Sequence, residues 1–316
     1  MKAYVGVTDG DWYELLASIP DLDEVNFWQP SGSNEFRALD PGGLFLFKLH
    51  SPRNFIAGGG FFAHFSRLPV GLAWDAFREK NGARSLEEVR ARIEKYRRGS
   101  ADNRSSNYTI GCVLLEQPFF FSKSLWVPVP DDWHSNIVRG KGYDLSEPPG
   151  SIMWTQVQQS LEALRPTTAP AVDSYEPVAA SSAGRYGKAV LTLPRLGQGS
   201  FRVLVTDAYE RRCSITGERV LPVLEAAHIK PYSEGGAHRV DNGLLLRSDL
   251  HTLFDDGYMT ITVDHRVEVS RRIKEDWQNG REYYALHGQA IRSPVPGFPP
   301  PAPEVLEWHN SARFQA

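Results

Sequence analysis

The spacing of apolar and polar positions divides the chain into a β-rich first half and a mixed second half. Ala3 to Val7 alternate and then meet Asp9-Gly10, the pattern of a strand entering a turn. Trp12 to Ile19 reads as a short helix. Leu44 to Leu49 (LFLFKL) is an aromatic-rich apolar run of strand length. Phe55 to Phe65 (FIAGGGFFAHF) reads as a strand pair broken or bulged at Gly58-Gly59-Gly60. Ser85 and Glu88 have capping-box spacing, and Leu86, Val89, Ile93 and Tyr96 follow as one helical stripe. The other face of that helix, with Arg90, Arg92, Lys95, Arg97 and Arg98, reads as solvated. Tyr108 to Leu115 and Pro118 to Val127 return to strand character. Residues 1 to about 160 are therefore expected to form a small, strongly curved sheet or partial barrel with a few helices.

Periodicity stops between Arg165 and Lys188, where Pro, Ala, Ser and Thr dominate, and this stretch reads as a linker. The expected organisation is a domain over 1–165, a linker over 166–188 and a second domain over 189–316, α+β in class. In the second domain Gly199 to Arg212 is helical in pattern. Val223 to Ile229 reads as a strand holding His228 near its end, and Asp241-Asn242-Gly243 as a turn. Arg247 to Asp255 reads as a short helix with Ser248 as N-cap. The proline-rich stretch Ser293 to Pro303 is expected on the surface.

Composition narrows the function classes. With 316 residues, 41% of them hydrophobic and 23% charged, the chain suits two globular domains and is not a disordered polymer. Net charge is -3, so no global field draws it to a polyanion and nucleic-acid contact must come from a local patch. Ser181 to Val240 supplies one, with nine Lys and Arg against five Asp and Glu, and Arg211, Arg212 and Lys230 are candidates for phosphate contact. Two cysteines, Cys112 and Cys213, exclude a disulfide scaffold and a four-cysteine zinc site. The N-terminus has no signal-peptide pattern, and no apolar run approaches the roughly 20 residues of a membrane span. A cytoplasmic protein without membrane association is expected.

The chemistry concentrates in Cys213 to Met259, where His228, Asn242 and His251 stand at the junctions of a strand, loop, strand, helix order. Phosphodiester hydrolysis needs a base for water, which a neutral imidazole supplies near pH 7. It also needs a cation to offset charge on the phosphate oxygens, and a helix-borne His is a suitable ligand. An Asn in a turn can pin the loop that presents the base. AHI, DNG and SDLH in this order resemble the HNH, or ββα-metal, nuclease family, particularly its restriction-enzyme branch with LEAAHI, NGLLL and DLHTLFD. The resemblance implies His228 as general base, Asn242 as orienting residue and His251 as metal ligand, with one Mg²⁺ or Mn²⁺ per site. Two departures matter. CSITG leaves Cys213 alone, and Thr216 cannot replace a thiolate, so no structural zinc is expected. Ala227 stands where many relatives place an acid or His before the first His. Glu225 is the candidate second ligand, with a structural acid as the other reading. Asp255, one turn from His251, either orients that imidazole or stabilises the helix.

In the first domain Asn26-Phe27-Trp28-Gln29-Pro30, LFLFKL, the Gly58 to Gly60 run and CVLLEQPFFF resemble EVE-type members of the PUA superfamily. The resemblance implies an aromatic cage for a flipped, modified base. Trp28 and Trp133, each in a polar setting read as a loop, are the cage candidates, with core packing as the competing reading. Asn26 and Asp132 are candidates for hydrogen bonds to the base edge, and Arg139 and Lys141 for a phosphate clamp. A reader of this kind joined to an HNH domain implies a modification-dependent DNA restriction endonuclease. Its substrate would be double-stranded DNA with 5-methyl- or 5-hydroxymethylcytosine, and a homodimer would cut both strands. Two alternatives stand: an inactive reader of modified nucleic acid, and an HNH nuclease indifferent to modification.

Overall fold

A computed structural model describes residues 1–32, 35–97, 108–164 and 197–316. In chain order the first elements are β1 (Lys2–Thr8), α1 (Gly10–Ala17), β2 (Glu24–Gln29), β3 (Leu44–Leu49), β4 (Phe55–Pro69), α2 (Val70–Phe77), α3 (Leu86–Tyr96), β5 (Thr109–Phe120), β6 (Val127–Pro128), β7 (Gly140–Asp144) and α4 (Gly150–Ala163). They are followed by α5 (Gln198–Ala208), β8 (Leu224–His228), β9 (Gly243–Arg247), α6 (Ser248–Asp255), β10 (Met259–Ile261), β11 (Val267–Val269), α7 (Arg272–Trp277), α8 (Arg281–Tyr284) and α9 (Pro303–Ala312). The class is α+β, as the patterning indicates. The expected linker, 166–188, lies outside the described residues, as do Arg98, Arg185, Lys188 and Arg195.

The chain forms two compact units that interleave in sequence. One draws on Met1–Leu22, Phe36–Ala63 and Gln117–Pro194, the other on Asp23–Glu35, His64–Glu116 and Arg195–Ala316. In the first unit β1 runs parallel to β3, Ala3 opposite Leu44, and antiparallel to β7. β3 pairs antiparallel with β4, the register shifting between Phe47 and Lys48, and β6 adds to β4. Alternation sends Ala3, Val5, Leu44 and Leu46 to one face, where Met153 and Val157 of α4 close the core. β4 is one strand of 15 residues, so the break expected at the glycines is absent, while the register shift that moves from Gly58 to Ile56 on β4 agrees with the bulged reading. A Cβ at Gly58 would stand 2.2 Å from the Phe119 carbonyl, so the glycine permits close backbone approach.

In the second unit β2 pairs antiparallel with β5, Glu24 opposite Glu116. Ser85 caps α3 as its spacing predicts, its Oγ accepting the Glu88 N–H at 3.2 Å. Arg92 departs from the solvated face: it is buried and donates to the Gly82 carbonyl at 2.6 Å and to Glu88 at 2.6 Å. Tyr96, assigned to the apolar stripe, is exposed. α5 begins after Gly197, which has no side chain to cap it. Glu24 supplies the cap, its two carboxylate oxygens accepting the Gly199 and Ser200 N–H groups at 2.8 Å each, while Lys80 pairs with it at 2.9 Å. β8 and β9 pair antiparallel, Leu224 opposite Arg247 and His228 opposite Gly243. They pack with α5 and α6 around Phe201, Val205, Leu244, Leu246, Leu250 and Phe254. Arg247, not Ser248, occupies the N-cap of α6, and no side chain caps that end.

Glu116 gives this unit a pH signature. Its carboxyl is fully buried without a hydrogen-bond partner among the described residues, and burial, then the neighbouring Glu24, pushes its pKa up to about 7. The fold favours the protonated form, whereas the unfolded chain ionises near the ordinary value of 4.5. This contribution is therefore complete below about pH 4.5 and is lost as pH rises through 7, by up to ~3 kcal/mol. Glu116→Gln is expected to raise the melting temperature at pH 8 and leave it nearly unchanged at pH 5. Equal shifts at both pH values in thermal melts would refute this origin.

Candidate active site

His228 closes β8, and its ring lies flat on Phe201 of α5, centroids 3.8 Å apart and planes 11° apart. Its Nε2 is 2.8 Å from Nδ1 of His238. The His238 ring in turn stacks on Tyr232 at 4.8 Å and 5°. Burial above all, then His238 and His251, pushes the His228 pKa down to about 4, so the imidazole is neutral at pH 7. Asn242, almost fully buried, closes the loop between β8 and β9. Its Oδ1 accepts the Lys230 N–H at 2.8 Å, and its Nδ2 donates to the Lys230 and Ala237 carbonyls at 2.9 Å each. The turn Asn thus ties both ends of the segment that follows the base.

His251 projects from α6 between two carboxylates. Its Nδ1 is 2.6 Å from Glu225 Oε2, and its Nε2 is 3.3 Å from Asp255 Oδ2. His228, Glu225, His251 and Asp255 line one cleft of about 570 Å³, together with Arg202 and Arg313. His309 of α9 also borders it, but both of its ring nitrogens are engaged, by Thr260 at 2.7 Å and the Phe254 carbonyl at 3.1 Å, and burial pushes its pKa down to about 4. It packs the helix rather than serving the cleft. Among the described residues, no three His, Cys, Asp or Glu groups converge as a formed cage. The donor types nevertheless fit a hard divalent cation, which takes carboxylate oxygens and imidazole with water completing its shell.

Sequence reasoning missed Phe201, His238 and Arg313, and counted Arg202 only within the basic stretch Ser181 to Val240. Phe201 and Arg202 sit in a helix the pattern located, but nothing local marks which neighbour they meet. The helical spacing of Leu306 and His309 behind Pro303 was a usable signal for α9.

The residues assigned to a base pocket fall in both units. Trp28 is not in a loop: it lies in β2, 9% exposed, and its Nε1 donates to the Asn81 carbonyl at 3.1 Å. Asn26, fully buried, donates from Nδ2 to Asn81 Oδ1 at 2.9 Å and to Cys112 Sγ at 3.4 Å. Their polar neighbours in sequence suggested a loop, but Asn81, 55 positions away, takes the amide N–H within the core, while the buried Oδ1 has no hydrogen-bond partner among the described residues. Trp133 stands between β6 and β7, partly buried against the first unit's core. The Lys48 ammonium lies 5.3 Å from its ring centroid. Lys48, 4% exposed on β3, donates to Asn54 Oδ1 at 2.7 Å. Asp132 accepts from Lys141 Nζ at 2.5 Å and Tyr143 Oη at 2.9 Å, so Lys141 is already paired, while Arg139 is exposed.

Of the basic stretch, Arg211 pairs loosely with Asp207 at 3.9 Å and also donates to the Arg67 carbonyl. Lys230 Nζ lies 5.5 Å from the Trp308 ring centroid, and Arg212 is half-buried. Among the described residues, no helix is long and apolar enough to cross a membrane.

Comparison with solved structures finds an ASCH protein from Zymomonas mobilis, 8% identical with a TM-score of 0.33, over 49% of this chain and 94% of that one. It also finds a structure titled "Modification dependent TagI restriction endonuclease", 13% identical with a TM-score of 0.26, over 97% of this chain and 80% of that one. No curated protein matches. Residues 213–262, which hold His228, His238, Asn242, His251 and Asp255, match the family model of an HNH endonuclease, and the chain carries an HNH endonuclease domain there.

Proposed function

We propose that this chain is a modification-dependent restriction endonuclease acting on double-stranded DNA in the cytoplasm. The observation that carries the nuclease reading is a neutral imidazole, His228, bordering the same cleft as a carboxylate–imidazole–carboxylate set. His228 accepts the proton of the attacking water, and Asn242 holds the loop behind it. His251 and Glu225 hold a Mg²⁺ or Mn²⁺ ion, with Asp255 orienting the imidazole. That ion, when bound, offsets charge on the phosphate oxygens. Lys230, Arg211 and Arg212 contact phosphates around the site, and Arg139 and Lys141 do so beside the reader. Two strands need two sites, so a homodimer makes the double cut.

The first unit reads the base. Trp133, with the Lys48 ammonium near its ring and Asp132 beside it, offers a π-face and polar groups to an extruded base. Trp28 and Asn26, consumed in the core of the second unit, are left out of this assignment. The base is a cytosine with a methyl or hydroxymethyl group at carbon five.

The experiment is digestion of matched duplexes carrying cytosine, 5-methylcytosine or 5-hydroxymethylcytosine, in Mg²⁺ and in Mn²⁺. Cleavage confined to a modified duplex is expected. Equal cleavage of all three identifies a nuclease indifferent to modification, and preferential binding without cleavage identifies an inactive reader. Trp133→Ala is expected to lower the modified-to-plain affinity ratio about five- to 150-fold, the ~1–3 kcal/mol of one stacking face. A folded variant with an unchanged ratio removes Trp133 from the pocket.

A further inference from the structure

The His228–His238 pair decides which nitrogen of the base is free. A neutral imidazole has one N–H and one lone pair, and the partner of one nitrogen sets the state of the other. His228 Nε2 faces His238 Nδ1 at 2.8 Å, while His228 Nδ1 has no hydrogen-bond partner among the described residues. Two assignments satisfy that bond. In one, His228 donates from Nε2 and keeps a lone pair on Nδ1. In the other, His238 donates and His228 carries its proton on Nδ1, where no base is then available.

We propose that His238 is the positioning residue of this site: its Nδ1 accepts the His228 Nε2–H and thereby leaves His228 Nδ1 as the base. The inference rests on the reading of His228 as general base. Three features hold His238 to this task. Tyr232 lies parallel to its ring at 4.8 Å and fixes the plane. Asn242 Nδ2 binds the carbonyl of Ala237, the residue immediately before it, at 2.9 Å. Burial lowers the His238 pKa and favours the neutral ring, the form in which Nδ1 can accept. Phe201, stacked on the opposite ring of the pair at 3.8 Å, stops His228 from rotating out of line. When water gives its proton to Nδ1, the His228 ring becomes a cation, and its Nε2–H bond to His238 becomes charge-assisted and stronger. The bond therefore favours the protonated product of the step over its neutral start.

The role is specific to an acceptor at the Nδ1 position, which substitutions can separate from bulk. The amide oxygen of Asn falls close to the place of Nδ1, whereas Gln reaches the region of Nε2. Full-length wild type, His238→Ala, His238→Asn, His238→Gln and His228→Ala are compared in single-turnover cleavage of a 5-methylcytosine duplex in Mn²⁺. Duplex affinity and melting temperature are measured alongside. His238→Ala and His238→Gln are expected to lose about 10- to 100-fold in rate with affinity unchanged, and His238→Asn to recover most of it. Wild-type rate in His238→Ala, equal rescue by Gln and Asn, or failure of a stably folded Asn variant overturns the proposal. If His228→Ala is inactive while His238→Ala is not, only the positioning role fails. If His228→Ala cuts normally, the base assignment itself falls.

Discussion

His228→Ala is expected to lower the cleavage rate about 10²–10⁴-fold while leaving DNA affinity nearly unchanged. The ring borders the cleft, is neutral at pH 7, and keeps Nδ1 free of any hydrogen-bond partner among the described residues. Among the described residues, no other imidazole lining the cleft keeps a nitrogen without a partner. His309, also at the cleft, has both nitrogens engaged, and His251 is bracketed by Glu225 and Asp255. Affinity should survive because duplex binding is dominated by phosphate contacts, which the proposed function assigns to Lys230, Arg211 and Arg212. Removing the ring also uncovers the face of Phe201, so a melting curve must accompany the rate. A folded variant that cuts at the wild-type rate would move the base elsewhere.

EDTA is expected to stop cleavage altogether, and His251→Ala to weaken Mn²⁺ binding about 10- to 100-fold. His251 is the one imidazole of the cleft held by two carboxylates, Glu225 at 2.6 Å and Asp255 at 3.3 Å. Without it Glu225 and Asp255 lose the group between them, and like charges in one cleft repel. Calorimetric titration of Mn²⁺ into DNA-free protein reads the ligand role independently of turnover. Glu225→Gln is expected to weaken binding in the same direction. Undiminished activity in EDTA would remove the cation from the proposal, and an unchanged titration in His251→Ala would place it on other residues.

The heart of the site was legible because it is local. His228, Asn242 and His251 fall within 24 residues, where one strand pair and one helix are enough to bring them together. Asn242 shows why a turn signal alone said so little: its role lies in bonds to Lys230 and Ala237 across the loop. Phe201 and His238 stayed hidden for a different reason. Ring stacking leaves no period in the sequence, and His238 sits in a polar loop with nothing to mark it. At Gly58 only the bulged half of the reading stands: the strand runs through, its register shifts there, and the glycine itself is required by the close Phe119 backbone. Trp28 and Asn26 were misread because Asn81, which accepts an N–H from each, is more than 50 positions away.

The cap that Glu24 places on α5 spans 175 positions of sequence. A crossover by recombination anywhere between α4 and α5 would join the HNH part to a foreign N-terminal segment. The first turn of α5 would then lose its carboxylate, a contribution of about 0.5–2 kcal/mol for a cap, and with it the register of Phe201 beneath His228. An incoming segment must bring its own acid at the start of β2, together with the Lys80 that neutralises it. If the proposed function holds, the chain is therefore poorly suited to changing its target by wholesale grafting of a new reader. On that reading, a new base specificity would come through point substitution around Trp133 and Lys48, which belong to the other unit and leave the α5 cap untouched.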